Sequence, residues 1–299
     1  MMDAAVLAKL KDRALDVRRD VIRMIGVARS GHIVSSLSAT DILVWLYGVV
    51  LSIRPREPLW EGRDRFVLSK GSASPALYAT LAERGFFNHE DLWGYRRLGS
   101  TLQAFADRRT PGIDVSCSPL GMGPGIASGL ALTLKVQMPA SRVFCLAGDG
   151  ELQEGTVWEA LMVASHHRLG NLTLIIDRNG SQMEGETEKI AALEPLDEKL
   201  ESFGWATANA DGHDMRSLDE ALASLPSDRP RALIAKTVRG KGIPSLERST
   251  SNGKVVLDHH TTDSLLKELE GKESEGAEGG NADGSGNAEE IPEKPERRL

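Results

Sequence analysis

The sequence predicts an α/β protein whose mostly parallel sheet carries helices on both faces. Short apolar runs at 143–147 and 172–177 have the length and composition of buried strands, and segments with helical periodicity separate such runs along the chain. Gly, Asp and Asn follow these two runs, where each strand has to turn. Strands that alternate with helices are joined by right-handed crossovers, which make the strands parallel and cover both faces of the sheet.

Each element follows from local signals. Apolar residues recur at helical spacing from Val6 to Ile25, and the pair Ser30-Gly31 ends this first helix. The glycine- and proline-rich segment 111–129 is predicted to be a loop that approaches a ligand closely before a helix begins near Ile126. Further helices are predicted at 40–50, 75–84, 155–168, 196–203 and 214–225, and further strands at 66–68, 206–211 and 231–237.

The composition favours a soluble protein that acts on small molecules or proteins. Hydrophobic residues make up 40% of the 299 residues, and the formal net charge is −7. Nucleic acids and anionic membranes recruit concentrated positive charge, so neither is an expected partner. Charged residues interrupt the apolar N-terminus, and no run reaches the roughly 20 apolar residues of a membrane span.

The cysteine content indicates the compartment. Two cysteines occur, Cys117 and Cys145. One disulfide is conceivable, but two unpaired thiols in a reducing compartment fit this content better. We therefore expect a cytoplasmic protein.

One domain is predicted for 1–271 and a disordered acidic tail for 272–299. The tail has no aromatic residue and scarcely an aliphatic one, so it cannot form a core. A solubilising role is the simplest function for such a segment.

Two turns should meet at one edge of the predicted sheet. Gly148, Asp149 and Gly150 follow one strand, and Asp177, Arg178, Asn179 and Gly180 follow the next. In parallel sheets, ligands bind outside the carboxyl ends of the strands. A carboxylate and an amide oxygen suit Mg²⁺ or Ca²⁺, and Mg²⁺ takes only one or two carboxylates when substrate phosphates complete its shell. Either turn alone is more often structural, but the pair predicts a metal site that binds a diphosphate.

These residues resemble a known family. The GDG…N pattern resembles the diphosphate-and-metal motif of thiamine diphosphate (ThDP) enzymes, and its continuation through 146–180 is similar to the transketolases. Matching segments occur in the expected order over roughly 5–270, at 30–47, 63–71, 119–123, 211–214 and 236–242. The resemblance implies the ThDP-binding fold and the N-terminal, diphosphate-binding half of a split transketolase, which transfers a two-carbon ketol unit between sugars.

The resemblance also implies roles for particular residues. Asp149, Asn179 and the carbonyl of Ser181 would hold Mg²⁺, which bridges to the diphosphate of ThDP. Gly150 would direct its N–H at the diphosphate, whereas Leu120 and Gly121 would line the aminopyrimidine.

Three further residues match catalytic or interface positions of the family. Glu154 matches a glutamate at the subunit interface. His32 would be a proton donor or acceptor near the reacting carbons, unless it only caps a helix, and His260 aligns loosely with a late active-site histidine, with a surface role as the alternative.

The glutamate that activates the aminopyrimidine belongs to the second half of the enzyme in this family. The resemblance therefore implies a partner, the C-terminal, pyrimidine-binding subunit, in an α2β2 assembly, with a small-molecule sugar as substrate. Alone, the chain should bind metal and diphosphate weakly and catalyse nothing.

The chain departs from the family pattern on the side that would contact the sugar. Ser72 and Phe105 stand where the family has histidines, Ile33 replaces a proline, and Met122 replaces a glutamine. Replacing two imidazoles with a hydroxyl and a phenyl ring removes proton-transfer groups and hydrogen-bond donors, so recognition of sugar hydroxyls should change.

Two alternatives stay open beside a split ketol transferase. The chain could be a non-catalytic homologue kept as an interaction or regulatory subunit, since histidines are lost. It could also be a dinucleotide-binding oxidoreductase that uses Gly121, Gly123, Gly125 and Gly129, although no clear strand precedes that segment. The adjacent pair His166-His167 does not indicate zinc, because neighbours on a helix point apart.

Overall fold

The structure is a computed structural model that describes residues 2–249 and 257–277. The five strands of its main sheet are β1 (Arg65–Leu68), β2 (Val143–Gly148), β3 (Leu172–Arg178), β6 (Ala206–Asp211) and β7 (Arg231–Lys236). All neighbouring pairs are parallel, in the spatial order β1, β2, β3, β7, β6. Between β3 and β6, β4 (Ser181–Gln182) and β5 (Gly185–Glu186) form a short antiparallel ribbon.

Helices connect the strands. They are α1 (Ala4–Ala28), α2 (Ile33–Trp45), α3 (Ser74–Glu83), α4 (Met122–Gln137), α5 (Gly155–His166), α6 (Thr187–Ile190), α7 (Leu196–Ser202), α8 (Met215–Ser224), α9 (Pro244–Glu247) and α10 (His259–Ala277). A π-helical turn, Leu46–Val50, continues α2.

Strands β1, β2, β3 and β7 each supply side chains to two hydrophobic cores. Along β2, Phe144 and Leu146 belong to a core with α1, α2, α3 and α8, whereas Val143, Cys145 and Ala147 belong to a second core with α4, α5 and α7. This alternation follows from the two-residue period of a strand. The predicted α/β class, with helices on both faces of a parallel sheet, is confirmed.

The second helix begins at Ile33, seven residues before the predicted start at residue 40. The serines of this segment are better tolerated in a helix than the sequence suggests. The hydroxyls of Ser36 and Thr40 donate to the backbone carbonyls of His32 and Ser36, which satisfies them inside the helix. The window Ile33–Val50 is long and apolar enough to cross a membrane by composition, but 83% of it is buried within the fold. It is therefore a core helix.

The predicted loop at 111–129 is wrong in its second half, because α4 begins at Met122. Pro124 lies in the first turn of α4, where its missing N–H costs no helical hydrogen bond. At the other end of the chain, α10 continues to Ala277, beyond the predicted domain boundary at residue 271. Residues 278–299 of the predicted tail lie outside the described residues.

Candidate active site

A cleft of about 420 Å³ opens at the carboxyl ends of β1, β2, β3 and β7. Its position follows from the parallel sheet, because the loops after these strands meet at that edge. The lining residues include His32, Lys70, Gly71, Ser72, Phe105, Leu120, Asp149, Gly150, Glu154, Asn179, Ser181, Met183 and Arg239.

Asp149 joins the two turns that the sequence singles out. It follows β2 directly and is only 1% exposed. Its Oδ1 accepts the N–H of Gly150 at 2.8 Å, and its Oδ2 accepts the N–H of Gly180 at 2.6 Å and Nη1 of Arg178 at 3.0 Å. The predicted meeting of the two turns is confirmed. Burial and then the neighbouring Asp177 carboxylate raise the pKa of Asp149.

Asn179 and Ser181 lie in the turn that β3 leads into. The amide of Asn179 donates from Nδ2 to Asp177 at 3.1 Å, which fixes the orientation of the side chain. Its Oδ1 accepts the N–H of Ser181 at 3.2 Å and retains lone-pair capacity. Both residues line the cleft together with Asp149.

A buried network holds Asn179 from behind. Asp177, fully buried at the end of β3, accepts Nζ of Lys70 at 2.6 Å and Oγ of Ser38 at 2.8 Å, and also a hydrogen bond from Oγ1 of Thr237. Burial raises the pKa of Asp177, but the charge and hydrogen bond of Lys70 outweigh it and lower the pKa overall. Asp177 therefore stays ionised and orients Asn179.

Glu151 is a second buried carboxylate that organises the cleft. It accepts the N–H groups of Gly121 at 2.8 Å and Gly148 at 3.2 Å, and a hydrogen bond from Oγ of Ser69. Burial raises its pKa, which these hydrogen bonds partly offset. One side chain thus ties together the loops after β1 and β2 and the start of α4.

Gly121 can occupy its position only as a glycine. It caps α4 with φ of 80°, and a Cβ there would lie 2.5 Å from Oγ1 of Thr156. The neighbouring side chain of Leu120 is exposed and lines the cleft. Gly150 is constrained by space alone, since a Cβ would lie 2.5 Å from Cβ of Gln182. The backbone can therefore approach a ligand closely at both positions.

Arg178 lies between Asp149 and an acidic segment. Besides Asp149, its guanidinium donates to Oγ1 of Thr187 at 2.7 Å, to Glu188 at 2.7 Å and to Glu194 at 2.8 Å. Burial lowers the pKa of Arg178, but its bonds to Glu194, Asp149 and Glu188 outweigh that effect and raise it.

A second arginine enters the cleft after β7. Arg239 donates to Oγ of Ser181 at 2.7 Å. Burial lowers its pKa, while the charge of Asp149 opposes this shift. The ends of β3 and β7 therefore each bring a guanidinium close to the carboxylate of Asp149.

The matching segment at 211–214 supports the loop that carries Arg239. Nδ1 of His213 lies 2.7 Å from Asp41, and the N–H of Val238 donates to its Nε2 at 2.8 Å, so Nδ1 carries the ring proton. Asp41 also accepts two bonds from Arg18. Burial raises the pKa of Asp41, but Arg18 and His213 outweigh the effect of burial and lower the pKa to about 2.

Another part of the cleft lining consists of Gly71, Ser72 and Phe105, which we call the Phe105 wall. The ring of Phe105 lies against Gly71, where a Cβ would be 2.6 Å from Cδ1 of the ring, and the side chain is 39% exposed. Tyr78 donates from its hydroxyl to the carbonyl of Phe105 at 3.0 Å, which holds the backbone in place.

Two of the three predicted catalytic residues reach the cleft. His32 precedes α2 and lines the cleft, and burial followed by the charge of Arg96 lowers its pKa. Glu154 precedes α5, lines the cleft and is exposed. His260 lies in the first turn of α10, is exposed and is not among the residues that line the cleft.

Sequence reasoning gave no role to Lys70, Glu151 or Arg239. It placed Asp177 and Arg178 in the second turn but gave them no role either. Lys70, Asp177 and Arg239 could have been found by the rule that identified Asp149, because each lies at or just after the carboxyl end of a strand. The dinucleotide alternative is not supported, because the segment that leads into α4 is not a strand.

The donor set fits a divalent cation bound together with phosphate. No group of three or more His, Cys, Asp or Glu side chains that could hold a metal occurs within 2–249 and 257–277, the pair His166-His167 included. The cleft instead offers hard oxygens from Asp149, Asn179 and the carbonyl of Ser181. Such a set suits Mg²⁺ when phosphate oxygens complete the coordination.

Comparison with known proteins is consistent with this site. Residues 11–273 match the family "Transketolase, thiamine diphosphate binding domain". The 6-deoxy-6-sulfo-D-fructose transketolase subunit SqwG of Clostridium sp. (strain MSTE9) is 36% identical over 264 residues, which cover 87% of this chain and 96% of the relative. One of the subunits of the apulose-4-phosphate transketolase of Phocaeicola vulgatus is 34% identical over 232 residues, covering 77% and 83%.

A solved transketolase structure has the same fold as this chain. Transketolase from Campylobacter jejuni superposes with a TM-score of 0.80 at 32% identity, and the match covers 89% of this chain and 43% of that one. Fold and site thus define a thiamine diphosphate-binding α/β domain. The chain belongs to the transketolase family, as the resemblance implied.

Proposed function

We propose that this chain is the diphosphate-binding subunit of a two-component transketolase-like enzyme. The observation that carries the proposal is the hydrogen bond from the N–H of Gly180 to Asp149, which brings the turns after β2 and β3 into one cleft. The two relatives that are named as subunits are covered over most of their length, which supports a separate partner chain.

The residues of the cleft have distinct roles in this proposal. Asp149, Asn179 and the carbonyl of Ser181 would hold Mg²⁺, and the backbone of Gly150 would lie beside the diphosphate of ThDP. Leu120 and the backbone of Gly121 line the aminopyrimidine. When bound, ThDP supplies the carbanion chemistry of two-carbon transfer, whereas this chain positions the cofactor and moves protons.

His32 is the proposed proton-transfer group of this chain. Its lowered pKa keeps the imidazole neutral near pH 7, so that one ring nitrogen can accept a proton while the other donates a hydrogen bond. Its position in the same cleft as Asp149 supports this role.

The partner supplies what this chain lacks. We propose that a pyrimidine-binding subunit contributes the activating glutamate. A second copy of this chain completes the α2β2 assembly across α4 and α5, where exposed apolar side chains include Val136 at 79% and Met162 at 62% exposed. Glu154 lies at the start of α5, beside that surface.

In this proposal, the Phe105 wall determines which sugar the enzyme binds. The two subunit relatives are named for different sugars, so family membership alone does not select one. Ser72 and Phe105 offer fewer hydrogen bonds than imidazoles, which favours a donor or acceptor with altered hydroxyls. The same observation motivates the second candidate, a non-catalytic homologue that serves as an interaction subunit.

The test is co-purification with the product of an adjacent gene that encodes a pyrimidine-binding half. The complex should bind ThDP and Mg²⁺ by calorimetry and transfer two-carbon units from a panel of ketoses. Asp149→Ala should abolish turnover while leaving the complex intact. Cofactor uptake without turnover on any ketose would favour the interaction subunit, and a complex that takes up no ThDP would contradict both the site and the function.

We also propose that the enzyme acts in the cytoplasm. Both Cys117 and Cys145 are free and buried. Burial raises the pKa of Cys117 to about 11 and also raises that of Cys145, so both thiols stay protonated and unreactive. Cell fractionation with an antibody to the chain tests the location, and recovery from an exported fraction would contradict it.

A further inference from the structure

Helix α4 is preceded by a glycine, which has no side chain to cap it. Gly121 occupies the cap position, where free N–H groups of the first turn need an acceptor. Two side chains from other segments bind these groups instead. Glu151 accepts the N–H of Gly121 at 2.8 Å, and Oγ of Ser69 accepts the N–H of Gly123 at 3.1 Å. The start of α4 is therefore capped from the loops after β1 and β2.

Ser69 and Glu151 act as one unit. Oε1 of Glu151 accepts the hydroxyl of Ser69 as well as the N–H of Gly121. Because the hydroxyl of Ser69 accepts from Gly123 in turn, the hydrogen bonds run in one direction and end at the carboxylate. Ser69 is fully buried and Glu151 is 3% exposed, so water does not replace a bond that is lost.

The start of α4 lies directly against these two capping residues. A Cβ at Gly123 would lie 2.2 Å from Oγ of Ser69, so the backbone of the helix touches the capping side chain. Leu120, one residue before the cap position, lines the cleft and is 57% exposed. A shift of the cap would therefore move Leu120 relative to the cleft.

The turns at the other end of the cleft are held by different bonds. Asp149 accepts the N–H of Gly180 at 2.6 Å, and Asn179 donates to Asp177 at 3.1 Å. Glu151 reaches this end through the N–H of Gly148, which donates to its Oε2 at 3.2 Å, a longer bond than the one from Gly121 at 2.8 Å. The loss of Glu151 should therefore disturb the start of α4 more than the two turns.

We propose that Ser69 and Glu151 are positioning residues, which place Leu120 and Gly121 and thereby set the affinity of the cleft for the ring part of its cofactor but not for the diphosphate part. The inference rests on the proposed function, in which Leu120 and Gly121 line the aminopyrimidine. The pair acts through the backbone at the start of α4.

Amide exchange measures this positioning in the full chain, without partner or cofactor. Hydrogen–deuterium exchange is followed by NMR in protein labelled with ¹⁵N-glycine. Glu151→Met removes both acceptor oxygens at similar volume, so the amide of Gly121 should exchange at least about tenfold faster. The amide of Gly26, inside α1, should not change, which separates a local effect from global unfolding.

The conservative variant Glu151→Gln should restore slow exchange at Gly121. The hydroxyl of Ser69 and the N–H of Gly121 both donate to Oε1, whereas only Gly148 donates to Oε2. The amide oxygen of glutamine should therefore take the place of Oε1, where two donors meet. Rescue by glutamine would show that an acceptor at this place, rather than a negative charge, is what positions α4.

Calorimetry of the two-subunit enzyme measures the two parts of the cofactor separately, with ThDP and inorganic pyrophosphate as probes in the presence of Mg²⁺. Glu151→Met should weaken ThDP binding by about tenfold and pyrophosphate binding by less than about twofold. Ser69→Ala should also weaken ThDP binding more than pyrophosphate binding. Glu220→Gln, at an exposed position of α8, is the control and should change neither.

The outcomes distinguish this inference from the proposed function. Unchanged exchange at Gly121 in Glu151→Met overturns the positioning role, as does an equal loss of ThDP and pyrophosphate binding. If Glu151→Met does not fold, Ser69→Ala decides in the same way through exchange at Gly123. A wild-type complex that binds no ThDP contradicts the proposed function and the effect on affinity, whereas faster exchange at Gly121 would still support the positioning of α4.

Discussion

The two sides of the cleft are built in different ways. Around Asp149, polar side chains are bound to one another, and Asp177 alone accepts bonds from Lys70, Ser38, Thr237 and Asn179. At the Phe105 wall, the neighbouring residues bind the backbone instead: the hydroxyl of Tyr78 donates to the carbonyl of Phe105. The Asp149 side also matches the family, whereas the Phe105 wall departs from it.

This difference indicates which parts of the site can change. A substitution in the buried pair of Lys70 and Asp177 leaves a charge without its partner, which is costly, so this side resists change. A substitution at the Phe105 wall disturbs one half-exposed ring and no buried ion pair. Altered specificity can therefore arise at the wall while the metal and diphosphate end stays constant.

The largest expected effect is on stability, from Asp177→Ala. The substitution leaves the ammonium of Lys70 buried without its partner, and we expect a loss of about 3–5 kcal/mol in the free energy of unfolding. Urea unfolding measures it. The double variant Lys70→Met/Asp177→Ala should recover much of this loss. If Asp177→Ala were as stable as the wild type, the two sides of the cleft would not differ in the way described.

Asp149→Asn should weaken binding of the magnesium–pyrophosphate pair by about 100-fold, because the charged metal ligand is lost. Stability should change by no more than about 1 kcal/mol, since burial disfavours the charge on Asp149 and the amide oxygen still accepts a hydrogen bond. Isothermal titration calorimetry measures the affinity. Asp228→Asn is the control, because that side chain is 80% exposed. Equal loss in both variants would argue against a specific site.

Asp41→Asn tests the network behind the loop that carries Arg239. The pKa of Asp41 is depressed to about 2 from 3.8. A carboxyl group with a depressed pKa stabilises the fold at pH values above its pKa in the unfolded chain. This contribution is lost as the pH falls through its pKa in the folded chain. The free energy of unfolding of the wild type should therefore exceed that of the variant by about 2 kcal/mol at pH 7. The difference should shrink as the pH falls from about 4 to about 2, the interval between the unfolded and folded pKa values. A difference that is independent of pH would refute the ionic origin.

The smallest expected effect on the fold is at the Phe105 wall. Phe105→His should change stability by no more than about 1 kcal/mol and leave binding of the magnesium–pyrophosphate pair unchanged. In the two-subunit enzyme it should raise kcat/KM for a hydroxylated ketose donor by about tenfold, because imidazole can hydrogen-bond a hydroxyl. Leu98→His, on an exposed loop, is the matched control. Loss of pyrophosphate binding in Phe105→His would mean that the two sides are coupled.

Much of the fold and the centre of the site could be predicted from the sequence. Strand runs and the turn residues after them are local signals, and they were sufficient to bring Asp149 and Asn179 to one edge of the sheet. The early start of α2 was missed because the spacing of apolar residues does not show that the hydroxyl of Ser36 donates to the carbonyl of His32, one turn earlier.

Other features could not be predicted because they depend on distant contacts. Glu151 and Arg178 look like ordinary surface charges in sequence, and their roles follow from the segments that the fold brings to them. The assignments of metal, cofactor and proton transfer to individual residues stay predictions.

The bonds of Glu151 have a consequence for how the site comes into being. Its partners Ser69 and Gly121 lie 82 and 30 positions away in the chain. A fragment of the chain that lacks any one of these three segments cannot form this link between the loop after β1, the end of β2 and the start of α4. During synthesis, this part of the cleft should therefore take shape only once Glu151 has followed Ser69 and Gly121 out of the ribosome, about halfway along the 299-residue chain.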